Sequence, residues 1–231
     1  SMQDIMDADG DNPPPAMRTE QYEFLGDEDI SFDRYIDPAV HEREIDRMWN
    51  RTWQWACREE HIPAPGNQHV YDVGPYSILV VHGDDGKIRA FVNSCPHRGM
   101  KFATEGSSSA RRSHIRCPFH GMTFNLDGSL KEIPCRWDFP HLNEDNFGLT
   151  EIRCETWGGF VFINMDDDAP PLADYLEILP EHFKQWPMDD RYVALHTQKV
   201  LPANWKMAME AFLEAYHVLE THSQAVYTAG D

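Results

Sequence analysis

Hydrophobic and polar positions change their spacing twice along the chain. Near the N-terminus, Asp37-Pro38 is typical of a helix start, and the apolar residues Ile45, Met48 and Trp49 recur with helical spacing. This pattern predicts a helix over about 38–51. From residue 53 to residue 164, short apolar runs alternate with turns, which is typical of many short strands. Helical spacing then returns towards the C-terminus.

The strand pattern predicts a small antiparallel sandwich. The clearest runs are 77–81, 88–92, 123–126 and 159–164. Glycine- and aspartate-rich turns at 83–86 and 127–128 predict two hairpins. Short strands joined by such turns pack most readily as antiparallel layers around one core.

The C-terminal third predicts helices at 172–185 and 203–219, with a strand at 192–200 between them. An acidic, Pro-containing linker at 166–171 precedes them. The buried stripe predicted for the last helix consists of Trp205, Met209, Phe212, Tyr216 and Leu219.

Composition narrows the function classes. The 231 residues include 20 Lys and Arg against 39 Asp and Glu, a net charge of −19. This balance disfavours binding to nucleic acid or to anionic lipid. The chain shows no apolar run long enough to span a membrane and no secretory signal, so a cytoplasmic location is expected. Five cysteines, an odd number, indicate reduced thiols or metal ligands.

Two short loops combine cysteine and histidine. They read Cys95-Pro96-His97-Arg98-Gly99 and Cys117-Pro118-Phe119-His120-Gly121. Two such pairs can bind one tetrahedral zinc ion or a two-iron, two-sulfur cluster. A zinc finger usually separates its cysteines from its histidines, whereas each of these loops mixes the two. The other cysteines have no such partners and are predicted to be core thiols; they are Cys57, Cys135 and Cys154.

These loops resemble the paired cluster-binding loops of a Rieske iron–sulfur domain. Further along, the pattern Glu-x-Phe-Leu-Glu-x-Tyr-His-x4-His from Glu210 to His222 resembles the mononuclear-iron segment of the Rieske non-haem iron oxygenases, the ring-hydroxylating dioxygenase α-subunit family. On a straight helix, Glu210, Glu214 and His217 would share a face. His222 would lie about 140° from His217, so the helix must end or bulge between the two histidines.

The resemblance implies the site residues. Cys95, His97, Cys117 and His120 would hold a [2Fe–2S] cluster, and His217 and His222 would bind a mononuclear Fe(II) together with a later aspartate. Glu214 stands where the family usually has aspartate, a residue proposed to bridge to a Rieske histidine of a neighbouring subunit. Glu214 is therefore the expected catalytic carboxylate. Met122 replaces a tryptophan that is common in the family.

The resemblance also implies an α+β fold, in which an antiparallel β-sandwich Rieske domain precedes the first part of a helix-grip catalytic domain. The expected segments are an acidic tail at 1–37, an N-terminal helix at 38–52 that packs on the catalytic domain, a Rieske domain at 53–165 and the start of the catalytic domain at 166–231. Because the family's third iron ligand is expected later than Asp231, this chain alone is expected to be inactive.

The implied function is that of an oxygenase large (α) subunit. Electrons from NAD(P)H would arrive through a reductase, with or without a ferredoxin, and O2 would be used to hydroxylate an aromatic or polycyclic small molecule. A homotrimer is expected, with or without β subunits, and neither nucleic acid nor a membrane is an expected partner. The alternatives are an N- or O-demethylating monooxygenase, a Rieske-type electron-transfer protein and a zinc-stabilised module.

Two further expectations concern redox behaviour. In place of hydroxyl donors and an additional cysteine, the loop flanks carry Met100, Phe119, Met122 and Phe124. Fewer hydroxyl donors to the sulfurs predict a potential of about −150 mV, near the low end of the Rieske range.

Residues 87–117 hold seven Lys and Arg against one acid. We hypothesise that loop 103–114, with Arg111 and Arg112, steers an acidic redox partner. Solvated charges or contacts to an acidic neighbouring subunit explain the same pattern.

Overall fold

The structure, a computed structural model, describes residues 26–104, 107–108, 111–143, 145–214, 217–222 and 224, together with residues 4, 7, 8 and 10. The chain divides into a short unit, Ser1–Arg34, and a larger unit, Tyr35–Asp231. Most of the predicted acidic tail, residues 1–37, lies outside the described residues. No helix in the described part of the chain is long and apolar enough to cross a membrane.

The predicted N-terminal helix is present. A short helix α1 (Asp33–Ile36) precedes α2 (Pro38–Glu44), which continues as a π-helical turn, Ile45–Trp49. The Asp37 side chain accepts a hydrogen bond from the Ala39 N–H (2.8 Å), and Pro38 occupies the first helical position. Both features match the start signal in the sequence.

Ten strands follow. They are β1 (Gln54–Arg58), β2 (Gln68–Val73), β3 (Tyr76–His82), β4 (Ile88–Val92), β5 (Ser107–Ser108), β6 (Ile115–Arg116), β7 (Thr123–Phe124), β8 (Leu130–Glu132), β9 (Glu151–Trp157) and β10 (Phe160–Asn164). All paired neighbours are antiparallel. One sheet has the order β1-β10-β9-β4-β3-β2-β5 and the other β6-β7-β8. Both predicted hairpins, β3–β4 and β7–β8, are confirmed.

Strand β3 shows how the two sheets pack. Leu79 and Val81 on one face join the core that contains Phe124 and Leu130 of the smaller sheet. Ile78 and Val80 on the other face join a second core around Ile62, Val161 and Ile163. A strand buried on both faces reads as a continuous apolar run, which explains the sequence Ile78-Leu79-Val80-Val81. The predicted antiparallel sandwich within an α+β fold is confirmed.

The helix predicted at 172–185 is broken into pieces. It forms α3 (Leu172–Leu176), α4 (Leu179–His182) and a 3₁₀ turn, Phe183–Gln185. The break lies at Glu177, whose φ is +48°. Pro180 explains it, because proline cannot donate to the carbonyl of Leu176 and its ring clashes there.

The strand predicted at 192–200 is wrong. These residues form no regular element and are exposed. A strand needs a hydrogen-bonded neighbour, and none of the strands that the structure describes pairs with this segment.

The helix predicted at 203–219 is also shorter than expected. Helix α5 covers Trp205–Glu210, and α6 covers Val218–Thr221. The predicted stripe is not buried as a whole, because Phe212 is 90% exposed and Met209 is exposed. Tyr216 and the side chain of Leu219 lie outside the described residues.

The buried residue of α5 is instead Lys206, whose ammonium group pairs with Glu44 of α2. The Trp205 indole N–H also donates to Glu44 (3.0 Å), and the rings of Trp49 and Trp205 meet edge to face with centroids 5.2 Å apart. The N-terminal helix therefore packs directly on α5.

Candidate metal centres

The two Cys/His loops have the same backbone frame. In the first loop, the Cys95 N–H donates to the Met100 carbonyl (2.9 Å) and the Gly99 N–H donates to the Cys95 carbonyl (2.8 Å). In the second loop, Cys117, Met122 and Gly121 make the same two bonds at 2.8 and 3.0 Å. Gly99 and Gly121 both adopt positive φ, 74° and 78°, so glycine is required to close each turn. Only the histidine differs in position: it is the third residue of one loop and the fourth of the other.

Buried polar side chains brace both loops. Asn93 is 1% exposed; its amide group donates to Ser77 Oγ (3.0 Å) and the Ala103 carbonyl (2.8 Å), while its Oδ1 accepts from the Phe102 N–H (3.0 Å). In the second loop, Thr123 Oγ1 donates to the Gly121 carbonyl (2.9 Å). The sequence analysis missed Asn93. Its signal is a lone amide directly after the apolar strand β4.

The loops bring the two thiols together inside the protein. Cys95 and Cys117 are both buried and pack in the same core beneath the loops. Burial raises the pKa of the Cys95 thiol, and the neighbouring Cys117 raises it further. Backbone N–H groups of His97 and Arg98 point at the same sulfur and act in the opposite direction. Such N–H donors are the groups that stabilise a thiolate bound to iron.

The two imidazoles also meet, on the exposed side of the loops. The rings of His97 and His120 have centroids 4.9 Å apart. Phe119 lies against His120, with centroids 3.8 Å apart, and the Arg98 guanidinium lies 5.8 Å above the Phe119 ring. Phe119 thus supports an imidazole, a role that the sequence analysis did not assign to it.

The second predicted site is partly assembled. The His217 Nδ1 lies 2.6 Å from Glu214 Oε1, and the His217 backbone N–H donates to Glu214 Oε2 (3.2 Å). The rings of His217 and His222 have centroids 5.5 Å apart. His217 directly precedes α6 and His222 directly follows it, so the two histidines flank this four-residue helix.

One part of that prediction is wrong. Glu210 does not share a helix face with Glu214 and His217, because α5 ends at Glu210. The Glu210 carboxylate instead accepts a hydrogen bond from the Tyr35 hydroxyl (3.0 Å). Residues 215–216 lie outside the described residues.

The other cysteines divide into two groups. Cys57 is buried and Cys154 packs against the same core, as predicted. Burial raises the pKa of each of these thiols to about 12. Cys135 is exposed, so its prediction as a core thiol is wrong. It follows Pro134 and takes a φ of +55° before the 3₁₀ turn Arg136–Asp138, a turn position without strand burial.

The positive charge of residues 87–117 is partly compensated. Arg89 makes two hydrogen bonds to Asp85 (2.9 and 2.7 Å), and Lys101 lies 3.3 Å from Asp72. Arg111 and Arg112 are exposed, whereas residues 105–106 and 109–110 of the same loop lie outside the described residues. The steering hypothesis stays a prediction.

Among the described residues, no group of three or more His, Cys, Asp or Glu side chains is placed to hold one metal ion. The first site instead joins two thiols and, separately, two imidazoles, which is the division of ligands in a Rieske cluster. Comparison with known families agrees. Residues 52–143 match the Rieske [2Fe-2S] domain, and residues 179–231 match the ring hydroxylating alpha subunit (catalytic domain).

The chain belongs to the Rieske non-haem iron oxygenase α-subunit family. Among its relatives, it is 31% identical over 222 residues to the glycine betaine monooxygenase oxygenase subunit of Chromohalobacter salexigens, covering 93% of this chain and 48% of that protein. It is 32% identical over 202 residues to the biphenyl 2,3-dioxygenase subunit alpha of Rhodococcus jostii, covering 85% and 44%. This Rieske oxygenase chain thus spans about half the length of the curated relatives it matches.

Solved Rieske oxygenase structures show the same fold. The quaternary ammonium Rieske monooxygenase CntA in complex with L-carnitine is similar with a TM-score of 0.78 and 29% identity, covering 84% of this chain and 55% of that chain. Naphthalene 1,2-dioxygenase from Rhodococcus sp. bound to indole is similar with a TM-score of 0.73 and 29% identity, covering 83% and 45%. The two matched domains imply a Rieske [2Fe–2S] cluster and a mononuclear iron.

Proposed function

We propose that this chain supplies the Rieske centre and part of the mononuclear iron site of an oxygenase α subunit. Cys95, Cys117, His97 and His120 would hold the cluster, and His217 and His222 would bind the second iron. When bound, the cluster supplies single electrons and the mononuclear iron supplies the reduction of O2. A reductase, with or without a ferredoxin, would deliver electrons from NAD(P)H, and a homotrimer, with or without β subunits, would bring the two centres together.

The observation that carries this proposal is the repeated loop frame. Two loops with identical backbone hydrogen bonds bury two thiols in the same core and expose two imidazoles in contact. Thiol and imidazole ligands are thereby sorted in pairs, as a two-iron cluster with two sulfur and two nitrogen ligands requires.

Glu214 supports the second site in two ways. Its carboxylate fixes the His217 Nδ1, which leaves the other ring nitrogen of His217 for a metal. Its second oxygen holds the backbone N–H of the same residue. We infer that Glu214 orients His217 and stands at the junction where a Rieske histidine of a neighbouring subunit would approach.

The substrate class is proposed from chemistry shared by the relatives. Hydroxylation of an aromatic or polycyclic compound is the first candidate, since the biphenyl relative is the α subunit of a dioxygenase. Oxidation of a quaternary ammonium compound is the second candidate, and the specific observation favouring it is that the betaine relative matches 93% of this chain. Oxygen uptake by the full-length protein with a reductase, tested on arenes and on quaternary amines, separates the two.

Anaerobic reconstitution with iron and sulfide tests the Rieske site. The protein should gain two irons in the cluster with visible absorption and a paramagnetic signal on reduction, because thiolate-bound iron absorbs strongly. Cys95→Ser and Cys117→Ser should each abolish that absorption. Cys57→Ser is the matched control, because Cys57 is an equally buried thiol outside the loops, and it should leave the absorption intact. A colourless wild-type protein or an equal loss in Cys57→Ser would contradict the proposal.

A further inference from the structure

The segment 188–196, a 3₁₀ turn (Met188–Asp190) followed by irregular chain, is held against the Rieske domain by a buried arginine. The Arg58 guanidinium donates to the Gly158 carbonyl (3.2 Å) at the turn between β9 and β10 and to the Arg191 carbonyl in the segment. It also lies 4.4 Å above the Phe160 ring. Arg58 is 5% exposed, so it joins the two parts of the chain from the inside.

A carboxylate makes the next contact along the segment. Glu60 Oε1 accepts a hydrogen bond from the Val193 N–H (2.8 Å) and lies 3.4 Å from Arg58 Nε. Arg58, Glu60 and His61 are close in sequence at the end of β1, where a 3₁₀ turn, Glu59–His61, follows the strand. One turn of the Rieske domain therefore presents all these anchors.

Three imidazoles continue this contact as a stacked row. The rings of His69 and His61 have centroids 5.9 Å apart with planes 20° from parallel. The rings of His61 and His196 have centroids 6.4 Å apart with planes 17° from parallel. The three residues come from β2, from the 3₁₀ turn and from the segment, so the row bridges the Rieske domain and the chain that leads to α5.

We propose that His61, His69 and His196 form a proton-sensitive latch, which holds segment 188–196 on the Rieske domain at neutral pH and releases it in mild acid. None of these three histidines belongs to the proposed metal sites. It would control how firmly the chain between the Rieske domain and α5 is docked.

The neighbouring rings of His61 and His196 disfavour a proton on His69 for electrostatic reasons. A proton on one ring opposes a proton on the next, because like charges at this separation repel. The His61 Nδ1 also accepts a hydrogen bond from the Arg58 N–H (3.3 Å), and a protonated Nδ1 cannot accept. The charged groups that contact the row or the segment directly are Arg58, whose backbone N–H bonds His61, and Glu60, which bonds the Val193 N–H.

The sign of the pH effect follows from His69. Burial lowers the pKa of His69, and the nearby His61 and His196 lower it further, against a hydrogen bond to the Ala56 backbone. Part of this lowering comes from His196, which belongs to the segment, so a proton on His69 opposes docking. Docking is fully favoured above the ordinary histidine pKa of about 6.5 and weakens as the pH falls below it.

Hydrogen–deuterium exchange of segment 188–200 at about pH 7.5, 6.5 and 5.5, corrected for the intrinsic pH dependence of exchange, tests the latch. In the wild type, protection should fall progressively from pH 7.5 to pH 5.5, because a proton on His69 opposes docking. Phenylalanine keeps the stacking without titrating. His196→Phe should therefore reduce the pH response, and the double variant His69→Phe, His196→Phe should reduce it further.

Two control variants distinguish the effect of the imidazole row from other changes in the segment. His141→Phe changes an exposed histidine outside the row and should keep the wild-type response. Glu60→Gln should lower protection at every pH without flattening the response, because it weakens the contact to the Val193 N–H but does not change the imidazoles. A flat wild-type profile, or an unchanged slope in His196→Phe, would overturn the latch. If the double variant does not fold, His196→Phe decides alone, because residue 196 is exposed and lies outside the sheet.

Discussion

The Rieske loops and the segment that carries the second site are built in opposite ways. The loops are anchored in the sheets: the thiols are buried in the same core as Phe91 and Phe124, and Asn93 closes the first loop from inside. The second-site residues follow the six-residue helix α5. Phe212 and Leu213, which lie between this helix and Glu214, are exposed. Tertiary packing thus sets the geometry of the first site, whereas mainly local contacts between Glu214 and His217 set that of the second.

The largest expected difference in stability comes from replacing one phenylalanine by alanine in each of the two regions. Phe124→Ala removes a fully buried ring from the core beneath the loops and should lower the free energy of unfolding by about 4 kcal/mol. Phe212→Ala removes a ring that is 90% exposed and should change it by less than about 0.5 kcal/mol. Urea denaturation measures both. Similar losses in the two variants would show that the regions do not differ in packing.

The next effect concerns the ion pair between Glu44 of the N-terminal helix and Lys206 of α5, which stabilises the second region. Glu44→Gln leaves the buried Lys206 ammonium without its counter-charge and should cost about 3 kcal/mol of unfolding free energy at neutral pH. Glu42→Gln, on the exposed side of the same helix, should cost less than about 0.5 kcal/mol.

The pH dependence of this pair has a defined sign. Burial by itself would raise the pKa of Glu44, but hydrogen bonds from Lys206 and Trp205 outweigh burial and hold that pKa below its ordinary value. The contribution of Glu44 is therefore present above about pH 4.5 and is lost as the pH falls further. The difference between wild type and Glu44→Gln should shrink in acid; a constant difference would argue against the ion pair.

The smallest effect tests how closely the hairpin turns pack on the core. A Cβ at Gly128 would lie 2.5 Å from the Phe91 ring, and φ is +87°, so Gly128→Ala should cost about 2 to 3 kcal/mol. Gly86 has a similar φ, +78°, but nothing within 4 Å of an added Cβ. Gly86→Ala should cost only about 1 kcal/mol in thermal or urea unfolding. Equal costs would mean that backbone strain alone matters at both turns.

Local patterns in the sequence are sufficient to predict the elements that depend on neighbouring residues. The Asp37 cap, both hairpins and the pairing of Cys95 with Cys117 follow from turn residues, strand alternation and motif spacing. That no straight helix carries both His217 and His222 was also predictable, because five residues on such a helix turn the two side chains apart.

Features that depend on a distant partner were not predictable. The apolar residues at 192–200 suggested a strand, but pairing requires a neighbour that the sequence does not reveal. The buried Lys206 is explained only by Glu44, which lies 162 residues away. Asn93 shows the same limit, since its bonds to Ser77 and Ala103 arise when strands and loop assemble.

The repeated loop frame separates two tasks within a stretch of six residues. Main-chain bonds from the cysteine to the methionine and from the glycine to the cysteine set the position of the sulfur, while the imidazole departs from the third residue in one loop and the fourth in the other. One backbone template therefore serves both loops, and the single-residue offset of the histidine is the difference between them.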